Sequence, residues 1–101
     1  MIYMCYGNSS ITTDQSNPTG VWDTNYKGVW HLGNGSTLSG TDATNQLNGT
    51  NHSATAVTGK AGGGAGFNGS NQNISVGTSG LTSGITLEAW IYRTGANGFD
   101  I

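Results

Sequence analysis

Residues 42–51 hold the densest set of oxygen donors in the chain: Asp42, Thr44, Asn45, Asn48 and Asn51. Calcium takes roughly six to eight oxygens, backbone carbonyls included. Asp42, Asn45 and Asn48 are therefore the candidate calcium ligands. The spacing is not that of an EF-hand, because Ala43 and Thr44 follow Asp42 and no acidic residue closes the loop. The competing reading of the same residues is a turn built on Asx side chains.

A second group with chemical potential is Glu88, Trp90 and Tyr92, two residues apart along one run. Aromatic faces combined with Asn/Asp hydrogen bonding make a physically sensible saccharide site. Trp30 and Tyr26 are further aromatics of this type, although Trp22 and Trp30 read as filling the core or a domain junction. Glycoside hydrolysis needs two carboxylates flanking the scissile bond, and Glu88 is the chain's one glutamate, with no partner at a suitable spacing. Glu88 thus reads as a surface or ion-paired carboxylate, no residue is assigned as catalytic, and the expectation is a protein that is not an enzyme. His31 and His52 have no Cys or further His at metal spacing. Gly64, Gly66 and Gly69 match G-x-G-x-x-G, but a dinucleotide site needs a helix to start there. Asn-Gly-Ser-Asn follows Phe67 instead, which points to close backbone approach and a turn.

The elements that must position these groups read as short strands. In residues 85–92, Ile85, Leu87, Ala89 and Ile91 alternate with Thr86, Glu88, Trp90 and Tyr92. That period of two predicts a strand with its aliphatic set inside a sandwich. Trp90 then points to the outer, concave face or lies under a loop. Residues 72–76 and a run closing on Phe67 are two more expected strands, with Asn68-Gly69 supplying positive-φ residues for a tight hairpin. Residues 2–6 and 28–32 are also expected as strands. Cys5 is expected as a small buried residue on the first of them. Pro18 reads as a breaker. Residues 33–59 form a long polar loop that only Leu38, Leu47 and Val57 could anchor, and such loops are often functional. No apolar stripe of helical period persists.

Composition narrows the classes. Charge is scarce, with three Lys+Arg against five Asp+Glu among 101 residues, so a phosphate-tracking surface is excluded and nucleic acid is not an expected partner. No apolar run approaches the ~20 residues of a membrane span, and residues 1–6 do not make a signal peptide. The lone Cys5 forms no internal disulfide. Six N-x-Ser/Thr sequons occur, at Asn8, Asn34, Asn48, Asn51, Asn68 and Asn73. Glycosylation there requires passage through a eukaryotic secretory pathway.

The segment Phe67, Gly69, Ile74, Val76, Leu87, Ala89, Trp90, Ile91, with its glycine-rich lead-in, resembles the concanavalin A-like lectin/glucanase superfamily in its laminin-G-like branch. Asp42, Thr44, Asn48, Gly49 and Thr50 resemble that family's Asp-x-Thr…Asn-Gly-Thr signature. Tyr3, Tyr6, Gly7, Asn8, Val21, Trp22 and Asp23 resemble the tail of an uncharacterised β module common upstream of it, although Cys5 stands where an aromatic is usual. The resemblance implies an all-β, antiparallel jelly-roll β-sandwich. Residues 1–26 would end the upstream module and residues 27–101 would begin the lectin-like domain, truncated at the C-terminus. It also implies one calcium near the Asp42 loop. The function implied is a non-catalytic recognition or adhesion module binding carbohydrate or a glycosylated surface, at an extracellular, cell-surface or virion location. The alternatives are a structural spacer without a ligand and a fragment of a polysaccharide-acting enzyme with catalytic residues elsewhere.

Overall fold

The computed structural model describes residues 1, 3–4, 6–78, 80 and 84–95. The regular elements are α1 (Pro18–Val21), β1 (Thr50–His52), β2 (Thr55–Thr58), β3 (Gly63–Gly66) and β4 (Asn73–Ser75). The chain is thus β in character with a single turn of helix among the described residues. Pro18, expected as a breaker, instead opens α1. Its ring pre-sets a helical φ, and its missing N–H is one that a first turn leaves unpaired anyway. Asn17 caps the turn by accepting a hydrogen bond from the Gly20 amide at 3.1 Å, and the Trp22 amide closes it on the Pro18 carbonyl at 2.8 Å.

The strands form two antiparallel two-stranded sheets, β1 with β4 and β2 with β3. They are nested. The inner pair runs in register from Thr58↔Gly63 to Thr55↔Gly66, and the outer pair from His52↔Asn73 to Thr50↔Ser75. One arm carries residues 53–54 between its strands and the other carries residues 67–72, so the unequal arms break one long hairpin into two ladders. Polar side chains bridge the break. Asn51 accepts from the Ala54 amide and donates to the Ala54 carbonyl, both at 2.9 Å. Gln72 accepts from the Asn68 amide at 2.7 Å and donates to the Ser53 carbonyl. The loop at Gly33 lies on the inner hairpin through a 3.0 Å bond from the Gly63 amide to the Gly33 carbonyl. Position 63 must be glycine, since a Cβ there would stand 2.5 Å from the Gly33 carbonyl carbon.

Several expectations are corrected. Residues 33–59 are not one long loop, because β1 and β2 lie within them. Asn68-Gly69 does make a turn, with Gly69 at φ +71, but not a hairpin: β3 is already paired with β2. The run closing on Phe67 is realised as β3 and residues 72–76 as β4. Residues 28–32 contribute only the isolated bridge Trp30↔Asp42. Of residues 2–6, Tyr3, Met4 and Tyr6 are exposed and outside any strand, while Ile2 and the expected buried Cys5 lie outside the described residues.

The largest correction concerns residues 85–92. They form no strand, and Ile85, Leu87 and Ile91 are exposed, Leu87 at 72 %. Phe67 is exposed as well, and Ile74 is half-buried. Alternation specifies which face a strand would bury, but burial needs an edge to pair with and a sheet to lie on. Among the described residues, no strand pairs with this segment. The apolar interior is correspondingly small: Ala54 is the sole buried hydrophobic residue described, and the other fully enclosed side chain is Asp42. The radius of gyration is 16.3 Å, against about 13 Å for a compact domain of this length.

The two arrangements of residues 85–92 predict different energetics. Leu87→Ala should change the unfolding free energy of this chain by no more than ~0.5 kcal/mol, as for surface substitutions. A loss of ~2–5 kcal/mol in denaturant titration would mean that the aliphatic face is packed.

Candidate functional site

Asp42 organises the loop that the sequence singled out. It has no solvent exposure, and its carboxylate collects five hydrogen bonds. Oδ1 accepts from the amides of Val29 at 2.8 Å and Thr44 at 2.9 Å. Oδ2 accepts from the Thr44 hydroxyl at 2.6 Å and from the amides of Gln46 at 3.1 Å and Leu47 at 2.8 Å. The spacing Asp-x-Thr accounts for the first turn, since an Asp side chain readily bonds the backbone two residues on. The main chain of Asp42 is held too. Its amide donates to Asn48 Oδ1 at 3.0 Å, and its carbonyl accepts from the Asn45 amide at 2.9 Å. Asn45 sits at φ +59, a conformation Asn tolerates better than most residues.

The loop is closed at its base by the Gly49 amide donating to the Gly40 carbonyl at 2.7 Å. A Cβ at Gly40 would meet the Gly49 carbonyl oxygen at 2.2 Å, so this closure depends on glycine. Trp30 seals the flank: its indole N–H donates to the Leu47 carbonyl at 2.9 Å. Its ring folds back over Gly28, where a Cβ would stand 2.2 Å from the indole.

A carboxylate offers about four lone-pair positions, and Asp42 receives five donors. Those donors occupy the approaches to both oxygens, so a calcium ion at Asp42 would have to displace them. Burial alone would push the Asp42 carboxyl up. The Thr44 hydroxyl and the amides of Val29, Thr44 and Leu47 outweigh burial and hold it well below the ordinary 3.8. Of the three candidate calcium ligands, the structure brings Asn48 onto the Asp42 amide and leaves Asn45 exposed beside the turn.

Glu88, Trp90 and Tyr92 lie far more openly. Trp90 is 83 % exposed and Tyr92 91 %, and Glu88, Ala89 and Trp90 line a shallow depression. His31 and His52 are exposed and separate. A second depression was not foreseen from the sequence, which placed Trp22 in a core or a domain junction. It is lined by Trp22, Asp23, Thr24, Thr44 and Gln46, among others. The Gln46 side-chain Nε2 donates to the Tyr26 carbonyl at 3.3 Å, and Tyr26 packs edge-on against Trp22 with centroids 4.9 Å apart. The signal available in the sequence was the proximity of Trp22-Asp23 to Tyr26, but nothing in it joined that cluster to Thr44 and Gln46.

No protein-family model matches the chain, and neither a curated protein nor a solved structure matches it. No described helix is long and apolar enough to cross a membrane.

The Asp42 carboxyl gives a signed pH prediction. A folded-state value below 3.8 contributes stability that is fully present above that pH and is lost as pH falls below it. The melting temperature of the wild-type chain should be flat from pH 7 to about 5 and should drop below about pH 4. Asp42→Asn should lower it at pH 7 by an amount equivalent to at least ~3 kcal/mol, given ~1.5–3 kcal/mol per hydrogen bond to a charged group, and should reduce the acid slope. Millimolar calcium should leave the wild-type melting temperature unchanged; a rise of several degrees would mean that the donors yield to a cation.

Proposed function

We propose that this chain is a non-catalytic recognition or adhesion module of a secreted, cell-surface or virion protein, and that its ligand is carbohydrate. Residues 1–26 are read as the end of an upstream module and residues 27–101 as the opening part of a laminin-G-like jelly-roll sandwich. The observation that carries the reading is the exposure of Trp90 and Tyr92 beside Glu88. Indole and phenol faces stack on the apolar face of a sugar ring, while a neighbouring carboxylate accepts from its hydroxyls. The composition of the chain as a whole supports it, being rich in Asn, Ser and Thr and poor in charge, which suits a neutral, hydroxylated partner. The second reading, a structural spacer without a ligand, is favoured by one observation: the most elaborate polar arrangement among the described residues, at Asp42, is taken up by the chain's own groups, four backbone amides and the Thr44 hydroxyl.

A glycan array probed with the wild-type chain distinguishes the two. The recognition reading expects at least one glycan class to bind, with Trp90→Ala weakening it ~10-fold or more, as for an aromatic anchor. A spacer binds none, and an array without any signal would overturn the carbohydrate assignment.

A further inference from the structure

We infer that the depression at Trp22 is a second, separate saccharide-binding site, shaped for a neutral pyranose. The inference rests on the carbohydrate reading above but assigns different residues. Trp22 is half-buried. Tyr26 meets it edge-on at 62° and 4.9 Å, and His31 lies tilted with centroids 6.3 Å away. These neighbours brace the indole, and Trp22 lines the depression. A fixed, partly exposed indole is the platform on which a sugar ring's C–H face packs.

Around that platform stand short polar groups with unused capacity. Asp23 accepts from the Asn25 amide at 2.9 Å through Oδ1, but among the described residues its Oδ2 has only a 3.4 Å contact from the Asn25 carboxamide. Gln46 donates through its nitrogen to the Tyr26 carbonyl, and among the described residues nothing donates to its carboxamide oxygen. Each of these oxygens can accept a hydrogen bond from a sugar hydroxyl. Among the described residues no Lys or Arg lines the depression, and Asp23 is the one carboxylate that does, so acidic sugars are disfavoured and neutral ones fit.

What distinguishes this depression from that at Trp90 is preorganisation. Thr44 and Gln46 are both anchored through their amides to the buried Asp42 carboxylate. Trp22 and Asp23 follow directly on the capped turn α1. Two independently braced segments therefore meet at the site, and a ligand need not order them, which lowers the cost of binding.

The test uses indole ¹⁵N–¹H correlation spectra of the whole chain, whose three tryptophans give three resolvable reporters. The probes are neutral oligosaccharides of hexose and N-acetylhexosamine, with uronic-acid oligosaccharides as the charged arm. The Trp30 signal, hydrogen-bonded to the Leu47 carbonyl, reports an intact Asp42 loop in every variant. The expected result is a saturable shift of the Trp22 signal with a neutral oligosaccharide, persisting in Trp90→Ala. Gln46→Ala and Asp23→Asn should weaken it ~10-fold or more, with Trp22→Phe retaining partial affinity by the shift of a ligand signal. If sugars shift only the Trp90 signal, and Gln46→Ala and Asp23→Asn change nothing, the Trp22 site is overturned while the carbohydrate reading stands. A shift of Trp22 by the uronic acids alone overturns the neutral-sugar assignment. If no probe moves any indole signal, this site and the broader reading fail together.

Discussion

A single buried carboxylate holds the centre of this chain. Asp42 pulls five donors inward from Val29, Thr44, Gln46 and Leu47, tying the segment before the loop to the loop itself. With little apolar surface buried among the described residues, that concentration of charge-assisted bonds supplies the fixed point a hydrophobic core would normally provide. Trp30, Asn48 and the Gly40–Gly49 closure are arranged around it. Removing the charge would leave several amides without partners, and unpaired buried donors cost more than the bonds they replace are worth.

The same economy of apolar residues governs the strands. The nested ladders β1–β4 and β2–β3 contain Asn, Thr, Ser and Gly where most sheets carry branched aliphatics. Their break is held by Asn51, Asn68 and Gln72 acting on backbone groups. Asn34 repeats the pattern, accepting from the amides of Ser36 and Thr37 at 3.0 and 2.9 Å. Asn8, Asn34, Asn48, Asn51 and Asn68, all sequon asparagines, thus bond to the protein's own amides. Of the tryptophans, Trp30 serves this scaffold directly, through its bond to the Leu47 carbonyl. Trp22 packs against Tyr26, and Trp90 and Tyr92 face solvent.

How much of this was legible in the sequence varied with the range of the interaction. Local signals read well. Asp42-Ala43-Thr44 announced an Asx turn, Asn68-Gly69 a turn, and residues 72–76 a strand. β1 and β2 were not legible, because Thr-Asn-His and Thr-Ala-Val-Thr lack strand periodicity in large side chains; pairing with β4 and β3, and the Asn51 brace, override weak propensity. Residues 85–92 failed in the opposite sense: their alternation is strong, but a face is buried only where a partner sheet exists. The meeting of Trp22 with Thr44 and Gln46 spans more than twenty residues and left no local trace.

Native-state hydrogen exchange tests most directly whether Asp42, rather than a packed sheet, is the organising element. Protection tracks the free energy of local opening. The amides of Val29, Thr44 and Leu47 should be among the slowest to exchange and should lose protection together in Asp42→Asn, while those of residues 85–92 exchange near the unprotected rate. Strong protection across residues 85–92, with Val29, Thr44 and Leu47 exchanging freely, would contradict the account.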